Sequence, residues 1–141
     1  MISEFRNEYF FLSNYYNSPI ILDGKIAPTV EHYFHACKTF NKAERDRILT
    51  ATTPGKAKRL GRACTLRSDW ETVKDSIMEE ALRQKFESPI LKQLLLSTGD
   101  EELVEGNWWN DTYWGVCDGV GQNKLGKLLM KLREEYKNEA L

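Results

Sequence analysis

The clearest pattern of apolar and polar positions lies between residues 68 and 86. Apolar residues recur there at intervals of three or four: Trp70, Val73, Ile77, Ala81 and Leu82. This spacing places them on one face of an α-helix that reaches about Phe86. In front of this helix, Ser68-x-x-Glu71 predicts a capping box at its first turn.

A second helix is predicted to begin at Thr29, which can act as N-cap, with Glu31 in the first turn, where an anion suits the helix dipole. At 100° per residue, one narrow arc holds Glu31, His35, Lys38 and Lys42, and the opposite side holds Val30, Tyr33, Ala36, Cys37 and Phe40. Glu31 and Lys38 then lie on one side, about 10 Å apart along the axis, too far for a direct ion pair. A small ligand fits between them; the competing interpretation is a solvated charged stripe.

Shorter patterns predict the other elements. Ile20-Ile21-Leu22, Asp23-Gly24 and Lys25-Ile26 form a β-hairpin pattern with a type I′ turn. Further helices are predicted over residues 44–51, 54–62 and 90–97 and from about 123 onward, with a short strand over 102–105. A βαβ alternation is absent. The fold class expected is mainly α, a compact helical domain with a small N-terminal β-hairpin element.

Composition narrows the class of protein. A chain of 141 residues, 41% hydrophobic, is expected to form one domain over residues 1–141. A net charge of −1 gives no general attraction to nucleic acid or membranes. No apolar run approaches a membrane span, and the N-terminus is not a signal peptide. Cys37, Cys64 and Cys117 are widely spaced and odd in number, which favours reduced thiols in the cytoplasm over a disulfide framework or a zinc site.

The loop over residues 106–122 contains three tryptophans. Such aromatic loops expose a large apolar surface, which is typical of binding sites. Trp109 or Trp114 can stack on a planar base, and Asp111 can act in acid–base chemistry or bind ribose hydroxyls. The alternative is that these tryptophans fill the core beneath the loop.

Two other groups of residues have the chemistry to bind phosphate. Gly119-Val120-Gly121 precedes a helix, where free amides bind anions, although Asn123 would also serve as a plain N-cap. A basic cluster either clamps phosphate or is a solvated helix face: Lys56, Lys58, Arg59, Arg62 and Arg67. His32 and His35 beside Glu31 lack a third ligand, so no metal site is expected.

Several short sequence motifs, in the same order along the chain, resemble those of a known family. They are Leu12-Ser13-Asn14; Pro28-Thr29-x-Glu31-His32-Tyr33-Phe34 with Lys38; Ala57-Lys58-x-Leu60-Gly61-Arg62; Asp69-Trp70; Lys85-Phe86; Leu103-Val104-Glu105; Asp111-x-x-Trp114-Gly115; and Gly121-x-Asn123-x-Leu125-Gly126-x-Leu128-Leu129-Met130-x-x-Arg133. From Phe11 to Arg133 the chain resembles the YbiA-like N-glycosidases, also called the NADAR family.

The resemblance implies a mostly helical fold and hydrolysis of an N-glycosidic bond to ribose. Known substrates in the family are reactive phosphorylated intermediates of riboflavin biosynthesis and ADP-ribosylated guanine in nucleic acid. His35 stands where many members have Gln, and Val116-Cys117-Asp118 stands where many carry an extra glycine after the Trp-Gly pair. The loop from Glu105 to Trp114 is also longer than in the bacterial riboflavin-linked members. These departures leave the substrate open.

We therefore expect a cytoplasmic N-glycosidase that needs no metal or cofactor and acts on a small ribosylated or phosphorylated substrate or on ADP-ribosylated nucleic acid. The expected catalytic residues are Glu31, Lys38 and Asp111, and the expected substrate-binding residues are Asn14, Arg62, Trp70, Trp114, Gly115 and Asn123. Either water or the Lys38 amine attacks the sugar. The rival interpretation is a non-catalytic module that binds ADP-ribose or a nucleotide.

Overall fold

The structure of this chain is a computed structural model that describes residues 1–140. In that part of the chain it has one 3₁₀ helix, six α-helices and two sheets of two strands each. Their bounds are 3₁₀ helix Asn7–Leu12, β1 Ile20–Leu22, β2 Lys25–Ala27, α1 Val30–Ala36, α2 Lys42–Leu49, α3 Pro54–Ala63, α4 Trp70–Lys85, α5 Pro89–Ser97, β3 Gly106–Asn107, β4 Val116–Cys117 and α6 Lys124–Glu139. The expected class, mainly α with a small N-terminal hairpin, is confirmed.

The chain groups into two compact units. One is residues 14–85, and the other is residues 1–13 together with the chain from residue 86 on. The expectation of a single domain over residues 1–141 stays a prediction. None of the helices within the described residues is long and apolar enough to cross a membrane.

Local sequence signals set the start of several helices. The hydroxyl of Thr29 accepts the N–H of His32 at the start of α1, as the sequence predicts. Thr53 caps α3 and Ser88 caps α5 in the same manner, each followed by proline in the first helical turn. In the β1–β2 hairpin, Asp23 and Gly24 both have positive φ, as a type I′ turn requires.

The predicted capping box of Ser68 with Glu71 is wrong. The backbone carbonyl of Asp69 accepts the N–H groups of Thr72 and Val73, so α4 begins one residue later than the pattern implied. The Glu71 carboxylate instead pairs with Lys74 on the next turn.

In the unit of residues 14–85, α1 packs against β1, α2, α3 and α4. All seven of its residues are buried. A helix buried all round belongs to the interior of its unit. The polar side chains of α1 are therefore positioned by the elements that pack around the helix.

Helix α1 is shorter than the spacing argument assumed. It ends at Ala36, whose carbonyl oxygen accepts the Arg45 Nε–H at 3.2 Å. Phe40 is 68% exposed and lies under the guanidinium of Arg67. The extrapolation of the helix to Phe40 and Lys42 is wrong, because side chains and backbone of later elements bind the carbonyls that would continue it.

In the other unit, α5 packs against α6, and β3 pairs with β4 in parallel. The strand predicted over residues 102–105 is reduced to a single bridge, in which Leu103 pairs with Ile2. Asn123 occupies the N-cap position of α6 with a left-handed backbone, and its carbonyl accepts the N–H of Lys127. Its side chain makes no capping hydrogen bond.

Candidate active site

Glu31 and His35 form a buried pair on α1. Residues four apart on a helix lie on one face, and Nε2 of His35 is 3.0 Å from Oε2 of Glu31. Only 8% of Glu31 and 5% of His35 is exposed. Among the described residues His35 is the only hydrogen-bond partner of this carboxylate. The interpretation of these positions as a solvated stripe is wrong.

The hydrogen bond fixes the tautomer of His35. A carboxylate only accepts, so Nε2 carries the hydrogen and donates it to Glu31. Nδ1 is buried without a hydrogen-bond partner in the described chain and faces Gly61 of α3, where an added Cβ would lie 2.3 Å away. Burial lowers the pKa of His35, and the hydrogen bond to Glu31 opposes that shift only in part. His35 is therefore a neutral imidazole at neutral pH.

Lys38 lies just past the end of α1, in a turn. Its N–H donates to the carbonyl of His35, and its own carbonyl accepts the N–H of Arg67 at 2.8 Å. The Nζ atom is 6.0 Å from the ring centroid of Phe34 and 5.9 Å from that of Trp70. These two rings contact each other edge to face. The backbone of Lys38 is thus fixed by hydrogen bonds, and its amine lies near the rings of Phe34 and Trp70.

This environment disfavours the charged form of Lys38. Burial is the largest cause and lowers the pKa of its amine. The positive charges of Arg62 and Lys58 lower the pKa further, while Cys64 and Glu31 oppose that shift. A neutral amine is the form of lysine that can attack carbon.

Asn14 lies directly against the start of α1. Its backbone carbonyl accepts the N–H of Glu31 at 3.1 Å. Its side-chain Nδ2 makes a long contact of 3.5 Å to Sδ of Met78, and its Oδ1 is buried without a hydrogen-bond partner in the described chain. A buried acceptor without a donor is uncommon in folded proteins. The Oδ1 atom of Asn14 is therefore a buried acceptor to which no described residue donates.

Arg62 is exposed on α3 and forms no ion pair with any described residue. Arg67, by contrast, forms a two-point ion pair with Asp69. Of these two arginines, Arg62 is the one whose guanidinium is available for an anion. The phosphate clamp and the solvated helix face both stay possible for α3 on this geometry.

Asp111 and Trp114 belong to the other unit. Oδ1 of Asp111 accepts the backbone N–H groups of Tyr113 and Trp114 at 3.1 and 3.0 Å, which closes a tight turn. The indole of Trp114 is half-buried and packs edge to face on Tyr113. Trp108 is 75% exposed, so the tryptophans of this loop do not share one role.

Gly115 and Asn123 hold the same loop together. A Cβ atom at Gly115 would lie 2.2 Å from the carbonyl oxygen of Glu105. Oδ1 of Asn123 accepts the Glu105 N–H, and its Nδ2 donates to the carbonyl of Leu103. The side-chain amide of Asn123 is thus occupied by backbone groups of its own unit.

Of the expected site residues, the unit of residues 14–85 contains Asn14, Glu31, Lys38, Arg62 and Trp70, and the other unit contains Asp111, Trp114, Gly115 and Asn123. Sequence reasoning did not identify His35 as the partner of Glu31. The signal was present in their spacing of four on a helix. Within residues 1–140 no three His, Cys, Asp or Glu side chains are grouped so as to hold a metal ion.

Comparison with known proteins gives consistent matches over nearly the whole chain. The NADAR domain model matches residues 2–137. The chain is 45% identical to the protein named N-glycosidase YbiA of Escherichia coli over 133 residues, which are 92% of this chain and 82% of that protein. An N-glycosidase of Nostoc punctiforme is 41% identical over 92% of this chain and 87% of its own length.

Two further comparisons extend this result. A riboflavin biosynthesis protein of Vibrio vulnificus is 37% identical over 92% of this chain, which corresponds to 36% of that longer protein. The NMR structure of Escherichia coli YbiA superposes with a TM-score of 0.84 at 44% sequence identity. The match covers 95% of this chain and 82% of that structure.

Proposed function

Because this chain belongs to the NADAR domain family, as its motifs predicted, we propose that it is an N-glycosidase that hydrolyses the C–N bond between a ribose and a base. The observation that carries this proposal is the buried carboxylate of Glu31, whose charge acts on the amine of Lys38, together with the lowering of the Lys38 pKa by burial. Buried charged groups cost free energy and are concentrated at functional sites. A structural helix needs neither group.

Glu31 acts on the charge that develops during cleavage. As the bond from C1′ to the base nitrogen breaks, its electron pair leaves with the base and positive charge spreads over the sugar ring. A fixed carboxylate facing that charge stabilises the transition state more than the substrate, which is what accelerates the step. The same carboxylate can also remove a proton from an attacking water.

Lys38 offers a second route. A ribosylamine opens to an imine at C1′, and the neutral Lys38 amine adds to that carbon, after which the base leaves as a free amine and a lysine Schiff base is formed. Water then hydrolyses the Schiff base to release the open-chain ribose and the free lysine. In the alternative route water attacks C1′ directly, assisted by Glu31 or by Asp111 as second carboxylate. Neither route calls for a metal or cofactor.

The remaining residues bind the substrate in this proposal. Trp70 is the candidate for stacking on the base from the unit of residues 14–85, and Trp114 is the candidate from the other unit. The exposed guanidinium of Arg62 holds phosphate. The unpartnered Oδ1 of Asn14 accepts from a ligand hydroxyl. Gly115 and Asn123 contribute by shaping the loop that carries Trp114.

For the substrate we propose a phosphorylated ribosylamine intermediate of riboflavin biosynthesis, in the cytoplasm. The name of the Vibrio relative, a riboflavin biosynthesis protein, supports this choice. A second candidate is ADP-ribosylated guanine in nucleic acid, which is favoured by one feature. Trp108 and Trp109 form an exposed edge-to-face pair with Arg6 over the Trp108 ring, a surface suited to stacking on nucleobases.

The experiment is to incubate the protein with an early phosphorylated riboflavin intermediate and, separately, with ADP-ribosylated guanosine, and to measure free base. The matched control is Glu31→Gln, in which the amide oxygen can still accept from His35. We expect base release from the riboflavin intermediate by the wild type and none by the variant, with little change in melting temperature. Binding of ADP-ribose without release of base from either compound would favour the non-catalytic module.

A second measurement separates the two routes. If Lys38 forms a Schiff base, borohydride added during turnover reduces it to a stable secondary amine, and mass spectrometry places the adduct on the Lys38 peptide. Lys38→Arg keeps the positive charge and loses the adduct. An active wild-type enzyme that gives no adduct would leave direct attack by water.

A further inference from the structure

We propose that His35 is the positioning residue of Glu31: its neutral imidazole fixes one carboxylate oxygen, leaves the other for the sugar, and keeps the negative charge of Glu31 in place, which a protonated ring would cancel. The inference rests on the proposed N-glycosidase function. His35 itself contacts no reacting atom in this mechanism.

The geometry supports a positioning role. Nε2 of His35 is 3.0 Å from one oxygen of Glu31, and no other described residue bonds the carboxylate. The imidazole is confined by the edge of Phe34, at 5.4 Å between ring centroids, and by the backbone of Gly61. A donor that cannot turn away restricts its acceptor to one orientation, and such supporting hydrogen bonds set the precision of a site.

The charge of the donor matters as much as its position. A lysine or arginine in place of His35 would orient Glu31 but would also cancel the negative charge that faces the developing cation. A neutral N–H donor orients the carboxylate and leaves its charge in place. The imidazole serves this purpose only in the form that carries one proton, on Nε2.

Protonation of His35 would remove this advantage. The second proton can enter only at Nδ1, which is buried against Gly61 without an acceptor. The titratable groups that act on the ring are Glu31 and Lys38 from the same segment and Lys58 from α3. Burial lowers the pKa of His35, so the imidazolium forms only at acid pH, where it neutralises Glu31. Turnover should therefore fall on the acid side as His35 titrates.

The kinetic test compares two variants at the same position. In His35→Gln the side-chain amide can donate to Glu31 without titrating, whereas His35→Leu fills a similar volume without a donor. We expect His35→Gln to keep kcat within about threefold at neutral pH and to lose the acid fall in kcat that the wild type shows. We expect His35→Leu to lower kcat on the order of 10–100-fold with little change in KM, as is common when a supporting hydrogen bond is removed.

The spectroscopic test does not depend on turnover. The chain has two histidines, and the ¹⁵N signals of the His35 imidazole are those that disappear in His35→Gln. We expect a proton on Nε2 and a bare Nδ1 at neutral pH, with the imidazolium appearing below the usual histidine range. In Glu31→Leu the tautomer preference should weaken, because the acceptor is gone.

Each outcome bears on the proposal. An Nδ1–H tautomer or a charged imidazole at neutral pH overturns it, as does a His35→Leu enzyme with wild-type kcat and pH profile, or loss of activity in His35→Gln while its melting temperature is unchanged. If the wild type cleaves no ribosylated substrate, the proposed function fails, and the imidazole spectrum still decides whether His35 holds Glu31.

Discussion

Gly61 presents its bare Cα to the imidazole of His35. A Cβ atom at Gly61 would lie 2.3 Å from Nδ1 and 2.8 Å from both Cβ and Cγ of His35. The ring is held on its other side by the hydrogen bond from Nε2 to Glu31. The imidazole on α1 can therefore pack against α3 only because residue 61 has no side chain.

The first prediction concerns that contact. Gly61→Ala should lower the free energy of unfolding by about 1–3 kcal/mol, because an added methyl in a filled interior forces its neighbours to move. Denaturant unfolding measures the change. Gly61→Ala should also reduce kcat, because the added methyl displaces the His35 imidazole that holds Glu31.

Gly55→Ala on the same helix is the matched control. The nearest atom to a Cβ there is Oγ1 of Thr53 at 3.9 Å, an ordinary contact. Alanine is favoured over glycine in helices by roughly 0.5–1 kcal/mol, so this variant should be neutral or more stable. Equal losses at Gly55 and Gly61 would mean that the effect comes from the helix backbone and not from His35.

The second prediction concerns the pH dependence of stability at Lys38. Because burial lowers its pKa in the folded protein, the unfolded chain binds more protons between that lowered pKa and the ordinary value near 10.5. Folding stability due to Lys38 therefore rises with pH through this window, and below it the buried charge is destabilising. Lys38→Met should be more stable than the wild type at neutral pH, with the difference shrinking as the pH approaches 10.5.

Chemical denaturation at several pH values gives the comparison. Burial also raises the pKa of Tyr33 and of Cys37 to about 12, but both groups are present in each variant and cancel in the difference. Lys38→Arg stays charged over the whole pH range. The stability difference between Lys38→Met and Lys38→Arg should therefore not shrink as the pH approaches 10.5. A gap between Lys38→Met and wild type that does not change with pH would show that Lys38 does not titrate in this window.

The third prediction concerns Trp114. If its indole forms a wall of the base pocket, Trp114→Ala should weaken binding of a non-hydrolysed substrate analogue by about 1–3 kcal/mol in calorimetry. Trp108→Ala in the same loop is the control for an analogue of the riboflavin intermediate, because that side chain is 75% exposed and is assigned a role only for the nucleic-acid substrate. Unaltered affinity together with a lowered melting temperature would make Trp114 a core residue.

The fourth prediction separates two roles of Asp111. In Asp111→Asn the side-chain oxygen can still accept from the N–H groups of Tyr113 and Trp114, so the turn should persist. If Asp111 is the second catalytic carboxylate, the asparagine variant should lose activity by roughly 10²-fold or more, as loss of a general base does. An active Asp111→Asn enzyme beside an impaired Asp111→Ala enzyme would assign the residue to the turn alone.

Much of the fold could be predicted from the sequence, because its signals act over a few residues. Thr29, Thr53 and Ser88 cap the helices that follow them, since each bond joins positions three apart. The Asp23-Gly24 turn is set by the positive φ that both residues tolerate. The family motifs likewise indicated Glu31 and Lys38 as candidate catalytic residues.

Tertiary structure decided the burial of these two residues and of His35, and the protonation of Lys38 and His35. Helix periodicity placed Glu31, His35 and Lys38 on one side and left open whether that side faces solvent or a ligand. In the structure Glu31 and His35 are buried, and α1 packs against α3 and α4. Arg45 and Arg67 bind the carbonyls at the end of α1, which leaves Lys38 in a turn beside Trp70. Burial, the lowered pKa of Lys38 and the neutral state of His35 all follow from contacts between distant segments, and a local pattern contains no information about which segments those are.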